Sequence, residues 1–477
     1  MEIYNTIRRD YQTFEPLQPG RVGMYVCGVT VYDLCHIGHA RSAIVFDVLF
    51  RFLRTIGYSV TYVRNFTDID DKIIDRANLL GVGTAQLAEK YIQAFYEDMD
   101  SLLVLRPSIE PRATHHIQPM IEMVQVLLNK GHAYVEEGDV YFSVETFPGY
   151  GELSGRRLEE MKAGFRVKVD EKKRHPLDFA LWKSSKPNEP YWESPWGKGR
   201  PGWHLECSVM SNIYLGRTFD IHGGGLDLIF PHHENERAQS LCANGGQFAR
   251  FWVHNGFVTV ESEKMSKSLG NFITIRDATS QYHPEVLRLF LLSKHYRTPL
   301  DFSKEQVFRE QNALLRIYRT LKRLEEIMGK HTMNLELEEL SPHLQQVPGF
   351  LDSLSQDLNT PAAIAALFSA VKEVNGIMDG AKRQGDEASL RQLRDGILAA
   401  GKVLGILNQE PSQFFQEVAK SRQEIQEEEI ERLIEERASA RKAKDFKRAD
   451  EVRDYLKSKG VILEDTPKGT KWRWDLS

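Results

Sequence analysis

Residues 22 to 71, VGMYVCGVTVYDLCHIGHARSAIVFDVLFRFLRTIGYSVTYVRNFTDIDD, change their periodicity in an order that predicts a fold. An apolar run is followed by a glycine-containing loop, a helical stretch, Gly57 and a second apolar run, which together form a strand-loop-helix-strand unit. Apolar side chains in the helical stretch recur at spacings of three and four and should face a sheet: Ala43, Phe46, Leu49, Phe50 and Leu53. The sequence therefore predicts a parallel α/β domain at the start of the chain.

A second α/β half is predicted between residues 219 and 260. The stretch FDIHGGGLDLIFPHHENERAQSLCA (219–243) is typical of a glycine-rich turn that enters a helix, and FVTV at 257–260 is typical of a strand. Residues 107–201, which lie between the two halves, are polar and carry prolines and tryptophans. We therefore expect an insert that interrupts one fold.

The chain after Asp301 is predicted to be helical, because strand signals largely vanish there. Thr360 precedes Pro361, and this pair predicts the N-cap and the first residue of a helix. Apolar residues at helical spacing predict an amphipathic helix upstream of that pair: Leu314, Tyr318, Leu321, Leu324 and Met328.

The C-terminal stretch divides by charge. Residues 423–436 carry seven acids and one base, whereas residues 437–459 carry nine bases and four acids. A solvated helical hairpin with complementary arms explains the acidic arm. The basic arm leads to KGTKWRWDLS, where Trp472 and Trp474 stand beside Lys471 and Arg473, a mixture typical of single-stranded RNA binders. The same aromatic residues would equally suit a hydrophobic plug docked on the helices.

The composition excludes several classes of protein. At 477 residues the chain exceeds a single core, and a prior of roughly 150 residues per domain predicts about three domains. The 41% hydrophobic and 27% charged residues are typical of a folded protein, and the most apolar stretch, at 362–371, is too short to span a bilayer. Four cysteines in this length do not make a secreted disulfide framework, and a net charge of -5 argues against a nonspecific DNA coat. We expect a cytoplasmic protein with no membrane or DNA partner.

The residues CHIGHARS (35–42) could bind either a metal or an anion. They lie where the first strand ends and a helix begins, and the backbone N–H groups at a helix N-terminus form an anion site. Gly38 lets a ligand approach the backbone, while the imidazoles of His36 and His39 can donate to phosphate oxygens. We predict that these histidines bind ATP and not zinc, and that Cys35 and Cys242 are small buried apolar residues.

A polar loop, EKMSKSLGN (263–271), follows a predicted strand. Lys264 and Lys267 are movable cations beside small hydroxyl residues and Gly270. A departing phosphate needs such donors, because phosphoryl chemistry depends chiefly on positioning and charge stabilisation. By itself this loop would be interpreted as a solvated surface.

The pairing of CHIGHARS near the N-terminus with EKMSKSLGN about halfway along resembles the class I aminoacyl-tRNA synthetases. Further stretches are similar to the cysteinyl-tRNA synthetase family: GMYVCGVTVYD (23–33), NFTDIDDKI (65–73), GWHLECSVM (202–210), HGGGLDLIFPHHENE (222–236) and LEDTPKGTKWRW (463–474). The resemblance covers essentially the whole chain, and none of these motifs is broken.

The resemblance implies an α/β fold in which a Rossmann-like parallel-sheet catalytic domain, split by an insert, is followed by an α-helical bundle and a small C-terminal domain. The implied boundaries are 1–106 and 202–300 for the catalytic halves, 107–201 for the insert, 301–410 for a stem-contact and anticodon-binding bundle, and 411–477 for an anticodon-recognition domain.

The resemblance also implies a zinc site formed by Cys27, Cys207, His232 and Glu236. His232 and Glu236 are four residues apart and would share one face of a helix. His233 is a rival ligand, because it reaches Glu236 at a spacing of three. Zinc binds a deprotonated thiol strongly and an alcohol weakly, so such a site would select cysteine over serine.

The implied reaction converts L-cysteine and ATP into an adenylate, with magnesium-bound pyrophosphate leaving, and then esterifies the terminal adenosine of tRNA(Cys). His36 and His39 would hold the triphosphate, and Lys264 and Lys267 would stabilise the leaving pyrophosphate. Implied nucleotide contacts further include Gly225 and Asp227. Residues implied near the substrate cysteine are Cys27, Gly28, Thr67, Trp203 and His222. We expect the protein to act as a monomer.

Two alternatives stay open. Ligases that attach cysteine to an amino-sugar in mycothiol synthesis share the adenylation core and the zinc site, but the long helical tail with its basic aromatic end favours tRNA. A nonenzymatic RNA-binding regulator would be expected to have lost a metal ligand or a signature lysine, and neither is lost.

Overall fold

A four-stranded parallel sheet organises the N-terminal part of the protein. The computed structural model describes residues 1–156, 172–260, 263–264, 271–380, 386–421, 427–443, 445–458, 461–466 and 469–474. In the sheet the strand order is β10-β9-β3-β4, and every neighbouring pair is parallel. The strands and flanking helices are β3 (Arg21–Thr30), α1 (Ile37–Thr55), β4 (Ser59–Thr67), α2 (Asp71–Leu80), α3 (Thr84–Ser101), β9 (Thr218–Gly225) and β10 (Phe248–Asn255). The predicted α/β class is confirmed.

Helix α1 is buried on both sides, not on the single face that the spacing predicted. The strands β4, β9 and β10 pack on one side of it, and helices of the C-terminal half pack on the other. Its buried side chains accordingly include Ile44, Val48 and Phe52 in addition to the predicted stripe, of which Ala43 is only half-buried. This helix therefore joins the sheet and the bundle into one continuous core.

The opposite face of the sheet is covered mainly by α5 (Trp203–Leu215) and α6 (Glu234–Asn244), and the insert packs on these two helices. Alternate side chains of a strand point to opposite faces, and Tyr25 accordingly packs with the insert core while Met24 packs with α1. Short antiparallel strands form a second sheet in the order β5-β6-β7-β8. The elements here are α4 (Ile117–Asn129), β5 (Ala133–Glu136), β6 (Asp139–Phe142), β7 (Phe179–Ser184) and β8 (Gly199–Pro201); a hairpin of β1 (Glu2–Asn5) and β2 (Asp10–Thr13) precedes the main sheet.

The predicted glycine-rich turn is partly wrong, because Gly223 and Gly224 continue β9 as far as Gly225. Strand pairing with β10 explains the difference, since the Gly223 backbone pairs with Val253 in register. The helix that follows begins only at Glu234. The elements around this region are α5 (Trp203–Leu215), α6 (Glu234–Asn244), β11 (Val258–Val260), β12 (Glu263–Lys264) and β13 (Leu300–Phe302), and β11 is the strand predicted at 257–260.

A bundle follows the sheet, and its long helix α9 buries the predicted apolar stripe except for Met328, which is half-buried at the end of the helix. The predicted N-cap at Thr360 is wrong. Asn359 is the cap, since its side chain accepts from the Ala362 N–H, while the Thr360 hydroxyl donates to the Leu292 carbonyl instead. The helices are α7 (Ile275–Gln281), α8 (Pro284–Leu292), α9 (Lys304–Met328), α10 (Ser341–Leu344), α11 (Phe350–Ser355), α12 (Thr360–Asp379), α13 (Asp386–Leu404) and α14 (Pro411–Ser421).

The C-terminal unit is a helical hairpin followed by a β-hairpin: α15 (Glu427–Lys442), α16 (Phe446–Ser458), β14 (Val461–Thr466) and β15 (Gly469–Trp474). The Trp472 ring packs against a small core that includes Ile430 and Leu456, and its Nε1 donates to Glu431 Oε1 at 2.7 Å. Of the two alternatives for Trp472, the structure shows a hydrophobic plug packed on the helices. The Trp474 side chain lies outside the described residues. Throughout the described ranges, no helix combines the length and the apolar composition that a membrane crossing would need.

Candidate active site

Strand β3 is irregular where it reaches the site. Its register with β4 shifts between Val26 and Val29, so Cys27 and Gly28 form a bulge. A bulge re-aims side chains, and such features occur next to active sites. The Gly28 N–H donates to the Asn65 side chain at 2.9 Å, and a Cβ at Gly28 would lie 1.6 Å from the Asn65 carbonyl oxygen. Only glycine fits at position 28.

Four side chains from three parts of the chain converge beside this bulge. The sulfur atoms of Cys27 and Cys207 are 3.6 Å apart, and Cys27 Sγ is 3.3 Å from Glu236 Oε1. His232 Nε2 lies 2.9 Å from Glu236 Oε1 and 3.6 Å from Cys207 Sγ. All four ligand atoms lie within 4.8 Å of one another. The four residues that the resemblance implied as zinc ligands therefore form a compact group that could hold a metal ion.

A second group overlaps the first. It combines Cys27 and Glu236 with His222 and His233, again within 4.8 Å. His233 Nε2 is 3.3 Å from Cys27 Sγ, while its Nδ1 pairs with His254 Nε2 at 2.8 Å. His222 Nε2 lies 2.8 Å from Glu236 Oε2. The group with His232 contains two thiols and the other only one, and thiolates are the ligands that zinc favours.

The pKa values of the thiols and the imidazole in the first group are consistent with a site for a cation. Burial raises the pKa of the Cys27 thiol well above its ordinary value, and its hydrogen bond to Cys207 raises it further. Burial also raises the pKa of Cys207, but the bonds from Cys27 and His232 outweigh this and lower it to about 6. Burial lowers the pKa of His232, whereas Glu236 raises it, to about 10. A divalent cation would take the place of the protons on Cys27 and His232.

His232 is held from its other side. Its Nδ1 lies 2.8 Å from His204 Nδ1, and the Trp203 ring stacks on it with centroids 4.1 Å apart. Metal-bound histidines usually engage a partner through the second ring nitrogen, which fixes the direction of the first. Trp203 is 37% exposed and forms the outer edge of the group.

Thr67, at the end of β4, is buried and is connected to the thiols through Asn65, whose Nδ2 is 3.5 Å from the Thr67 hydroxyl and whose Oδ1 is 3.7 Å from Cys207 Sγ. Its hydroxyl donates to Glu206 Oε2 at 2.6 Å, and Glu206 Oε1 has no hydrogen-bond partner within the part of the chain that the structure describes. Burial raises the pKa of Glu206 well above its ordinary value. The sequence did not single out Asn65, His204 or Glu206. Each lies within a quoted motif, but the partners that give it a role come from distant residues.

CHIGHARS forms the start of α1, as predicted, and neither of its histidines belongs to the metal-ligand groups. His36 is the N-cap: its Nδ1 accepts the Gly38 N–H at 3.0 Å, and His39 Nδ1 accepts the His36 N–H at 3.3 Å. An imidazole whose Nδ1 accepts carries its proton on Nε2. Burial lowers the pKa of His39 well below its ordinary value, and His36 lowers it further. Both rings therefore present an Nε2–H donor.

The lysine loop is described only in part. Lys264 lies on β12, where its backbone pairs with Thr259 of β11. The Lys264 side chain and all of Lys267 lie outside the described residues. At the end of β9, Gly225 precedes an exposed Asp227 in a single turn, and a Cβ at Gly225 would lie 2.4 Å from Asp227 Oδ1. Gly225 ends β9, and the metal-ligand groups lie beside the bulge near the end of β3. Both therefore lie at the carboxyl ends of parallel strands, where ligands bind in open α/β sheets.

The catalytic region belongs to a known class. A family described as the tRNA synthetases class I (C) catalytic domain matches residues 13–312, and a DALR domain matches residues 349–408. Methionyl-tRNA synthetase of Mycobacterium tuberculosis, solved with methionyl-adenylate, matches with a TM-score of 0.57 and 16% identity over 83% of this chain and 91% of its own. LeuRS of Agrobacterium radiobacter K84, in a ternary complex with tRNA and LeuAMS, has a TM-score of 0.57 and 13% identity over 84% and 87%. The chain has the class I aminoacyl-tRNA synthetase fold.

The remaining comparisons identify the family. Residues 426–473 match the cysteinyl-tRNA ligase anticodon binding domain. Proteins named cysteine-tRNA ligase are 53% identical in Trichlorobacter lovleyi, 54% in Pelobacter propionicus and 52% in Thermodesulfovibrio yellowstonii, each over 99% of both chains. This chain belongs to the cysteine-tRNA ligase family and is an aminoacyl-tRNA ligase.

Proposed function

We propose that the protein activates L-cysteine with ATP and transfers it to the terminal adenosine of tRNA(Cys). The observation that carries the proposal is the meeting of Cys27, Cys207, His232 and Glu236 at the strand ends of a class I fold. Two thiols, one imidazole and one carboxylate are a donor set suited to zinc. This set would hold the ion while Thr67 and Trp203 border the space beside it.

Selection of cysteine follows from that donor set. A bound zinc ion would supply a position for the substrate sulfur as a thiolate, which an alcohol cannot fill with comparable strength. Cys27, Gly28, Thr67, Trp203 and His222 would surround the amino acid. Shape alone discriminates poorly between near-isosteres, so sulfur chemistry has to reject serine.

In the first step the cysteine carboxylate attacks the α-phosphorus of ATP, the bond to the bridging oxygen breaks, and pyrophosphate leaves with magnesium. His36 and His39 would donate from Nε2 to phosphate oxygens, and Lys264 and Lys267 would balance the charge on pyrophosphate. Gly225 would let the nucleotide approach the backbone, with Asp227 beside it. Positioning and charge stabilisation carry this chemistry, so no side-chain nucleophile is required.

In the second step a ribose hydroxyl of the terminal adenosine attacks the carbonyl carbon of the adenylate, and AMP leaves. The anticodon-binding match over residues 426–473 favours tRNA as the acceptor over an amino-sugar. Intact metal-ligand residues favour an enzyme over a regulator. The domain boundaries, the cytoplasmic location and the monomeric state stay predictions.

The test compares acceptors with the full-length protein. Labelled cysteine, ATP and magnesium are supplied with either tRNA(Cys) or an amino-sugar acceptor, and acid-stable product is counted in each. We expect label on tRNA alone. Label on the amino-sugar alone would identify the protein as the amino-sugar ligase. If cysteine is activated but neither acceptor is labelled, the proposed acceptor is wrong.

A further inference from the structure

Arg41 belongs to CHIGHARS but has no part in the chemistry proposed above. Its side chain is fully buried in α1, and all its hydrogen bonds to described residues go to backbone carbonyl oxygens. No carboxylate pairs with it in the described ranges, and its Nε has no partner there. Burial lowers the pKa of Arg41 to about 10. A buried cation without a carboxylate is costly, so a residue that merely filled space would be expected to be apolar.

The carbonyls that Arg41 binds belong to two segments. Its Nη1 donates to Phe257 O at 2.7 Å and to Gly256 O at 3.2 Å. Its Nη2 donates to Thr298 O at 2.5 Å and to Tyr296 O at 3.3 Å. Gly256 and Phe257 lie immediately before β11, and β11 pairs with β12, which carries Lys264. Residues 256–275 contain Lys264 and Lys267 and are called the lysine segment below. Arg41 therefore fixes the upstream end of the lysine segment to α1.

The downstream end of the lysine segment is bound to the residues at the start of α1. The Ile37 N–H donates to Ile273 O at 3.2 Å, and the Ile275 N–H donates to Cys35 O at 2.9 Å. His36 itself forms a β-bridge with Thr274. The start of α1 thus carries the two imidazoles and binds the chain on both sides of the lysines.

We propose that Arg41 is a positioning residue for the reaction with ATP, setting the distance between the imidazoles of His36 and His39 and the hairpin that carries Lys264. The inference rests on the proposed function, since it assigns both groups to the same triphosphate. Loss of the Arg41 contacts would let the hairpin move away from α1 while the thiol group beside β3 stays intact. ATP binding and cysteine binding should therefore separate.

The test uses Arg41→Lys and Arg41→Gln in the full-length protein. We expect the KM for ATP in cysteine-dependent pyrophosphate exchange to rise by roughly 10- to 100-fold, because small misplacements of positioning groups cost about that much. The KM for cysteine and the bound zinc should stay unchanged. ATP binding measured by calorimetry without amino acid should weaken in parallel, and this readout does not depend on the identity of the amino acid.

Arg288→Lys is the matched control. Arg288 is also a fully buried arginine, and it binds the Asp47 carboxylate and the carbonyls of Leu404 and Leu102, none of which lies in the lysine segment. It should lower the melting temperature without a selective change in ATP affinity. If Arg41→Lys folds and binds ATP as the wild type does, or if both substrates weaken equally, the inference is wrong.

Gly256→Ala tests the same link without changing Arg41. A Cβ at Gly256 would lie 2.8 Å from the carbonyl oxygens of Arg297 and Thr298, so it would displace the segment that Arg41 holds. We expect the same selective loss of ATP affinity. Normal ATP affinity in this variant would overturn the inference even if the Arg41 variants failed to fold. A wild-type protein that binds ATP but shows no cysteine-dependent exchange would instead count against the proposed function.

Discussion

The sulfur atoms of Cys27 and Cys207 lie 3.6 Å apart, although 180 residues separate the two cysteines. A bulge in β3 aims the first thiol, and the first turn and a half of α5 carries the second. The two elements belong to different halves of a fold that the insert divides. The pair is therefore a product of the completed fold and not of either half alone.

Cys207→Ser should lose zinc and cysteine activation together. An alcohol is a poor zinc ligand, and even changes around a metal ligand commonly cost roughly 10- to 100-fold in metal affinity or activity. Metal content by mass spectrometry and cysteine-dependent pyrophosphate exchange measure the two effects. Cys242→Ser is the control, because Cys242 is half-buried and outside the metal-ligand groups, and it should retain both properties. Full zinc occupancy in Cys207→Ser would remove Cys207 from the site.

His232→Ala and His233→Ala separate the two overlapping groups. We expect His232→Ala to lose the metal, because its Nε2 faces Glu236 at 2.9 Å and the set that contains it has two thiols. His233→Ala should keep the metal, since the set that contains His233 has only one thiol and its Nε2 lies 4.0 Å from Glu236 Oε1. Zinc content of the purified variants gives the answer. The reverse outcome would move the ligand by one residue.

His39→Ala should slow adenylate formation while leaving the zinc content intact. The variant removes an Nε2–H donor proposed to contact phosphate, and loss of one such donor typically costs about 10²–10³ in kcat. Single-turnover adenylate formation and metal analysis on the same sample measure the two properties. A zinc site emptied by His36→Ala or His39→Ala would make CHIGHARS a metal cluster after all.

Asp47 should link stability to pH at the joint between α1 and the bundle. Burial raises the pKa of its carboxyl, but Arg51 and Arg288 outweigh this, so the pKa lies below its ordinary value. A depressed pKa contributes stability that is present above the unfolded pKa of about 3.9 and is lost as the pH falls through the folded pKa. Asp47→Asn should therefore cost roughly 3–5 kcal/mol at pH 7, because it leaves buried arginines uncompensated.

Urea unfolding at pH 7 and below pH 4 checks this expectation. The difference in free energy of unfolding between wild type and Asp47→Asn should shrink at the lower pH. Asp379→Asn, which removes a largely exposed partner of Arg323, should cost no more than about 1 kcal/mol at either pH. A difference for Asp47→Asn that does not change with pH would show that the carboxylate charge contributes nothing there.

Ending the chain at Ser421 should leave cysteine activation intact and reduce tRNA charging. The deletion removes the C-terminal unit, which matches an anticodon-binding domain, but none of the residues proposed to contact ATP, zinc or cysteine. Pyrophosphate exchange and aminoacylation are measured side by side. A truncated protein that charges tRNA as well as the full chain would exclude the unit from recognition.

Trp472 distinguishes RNA stacking from domain integrity. Glu431→Ala removes the hydrogen bond to the Trp472 ring but leaves the ring in place, whereas Trp472→Ala removes both. Because the ring packs on the small core, we expect both variants to destabilise the C-terminal unit and to weaken charging, with Trp472→Ala the more severe. Reduced charging in Trp472→Ala with an unchanged melting profile would instead favour stacking on RNA.

The sequence predicted the elements that have strong local signals and missed the features that depend on distant partners. The periodicity of residues 22–71 was sufficient for β3, α1 and β4, because each has its own apolar pattern. It could not reveal that α1 is covered on both sides, since the second cover comes from helices hundreds of residues later. The sequence favours Thr360 over Asn359 as the cap because both residue types cap helices, and the Leu292 carbonyl that engages Thr360 is far away in sequence.

The site divides in the same way. CHIGHARS is a contiguous motif, and its place at a helix start could be predicted from the loop and helix around it. The thiol pair could be named only through family resemblance. The partners His204 and Glu206, and the carbonyls that Arg41 binds, required the folded chain.

The most direct test of the account is pyrophosphate exchange into ATP by the full-length protein, with cysteine or serine, before and after removal of zinc by a chelator. Exchange should depend on cysteine, should be negligible with serine, should fall when zinc is removed and should return when zinc is restored. This pattern would mean that the Cys27, Cys207, His232 and Glu236 group selects the substrate through its sulfur. Cysteine-dependent exchange that survives complete removal of zinc, or exchange with serine at a comparable rate, would contradict the account.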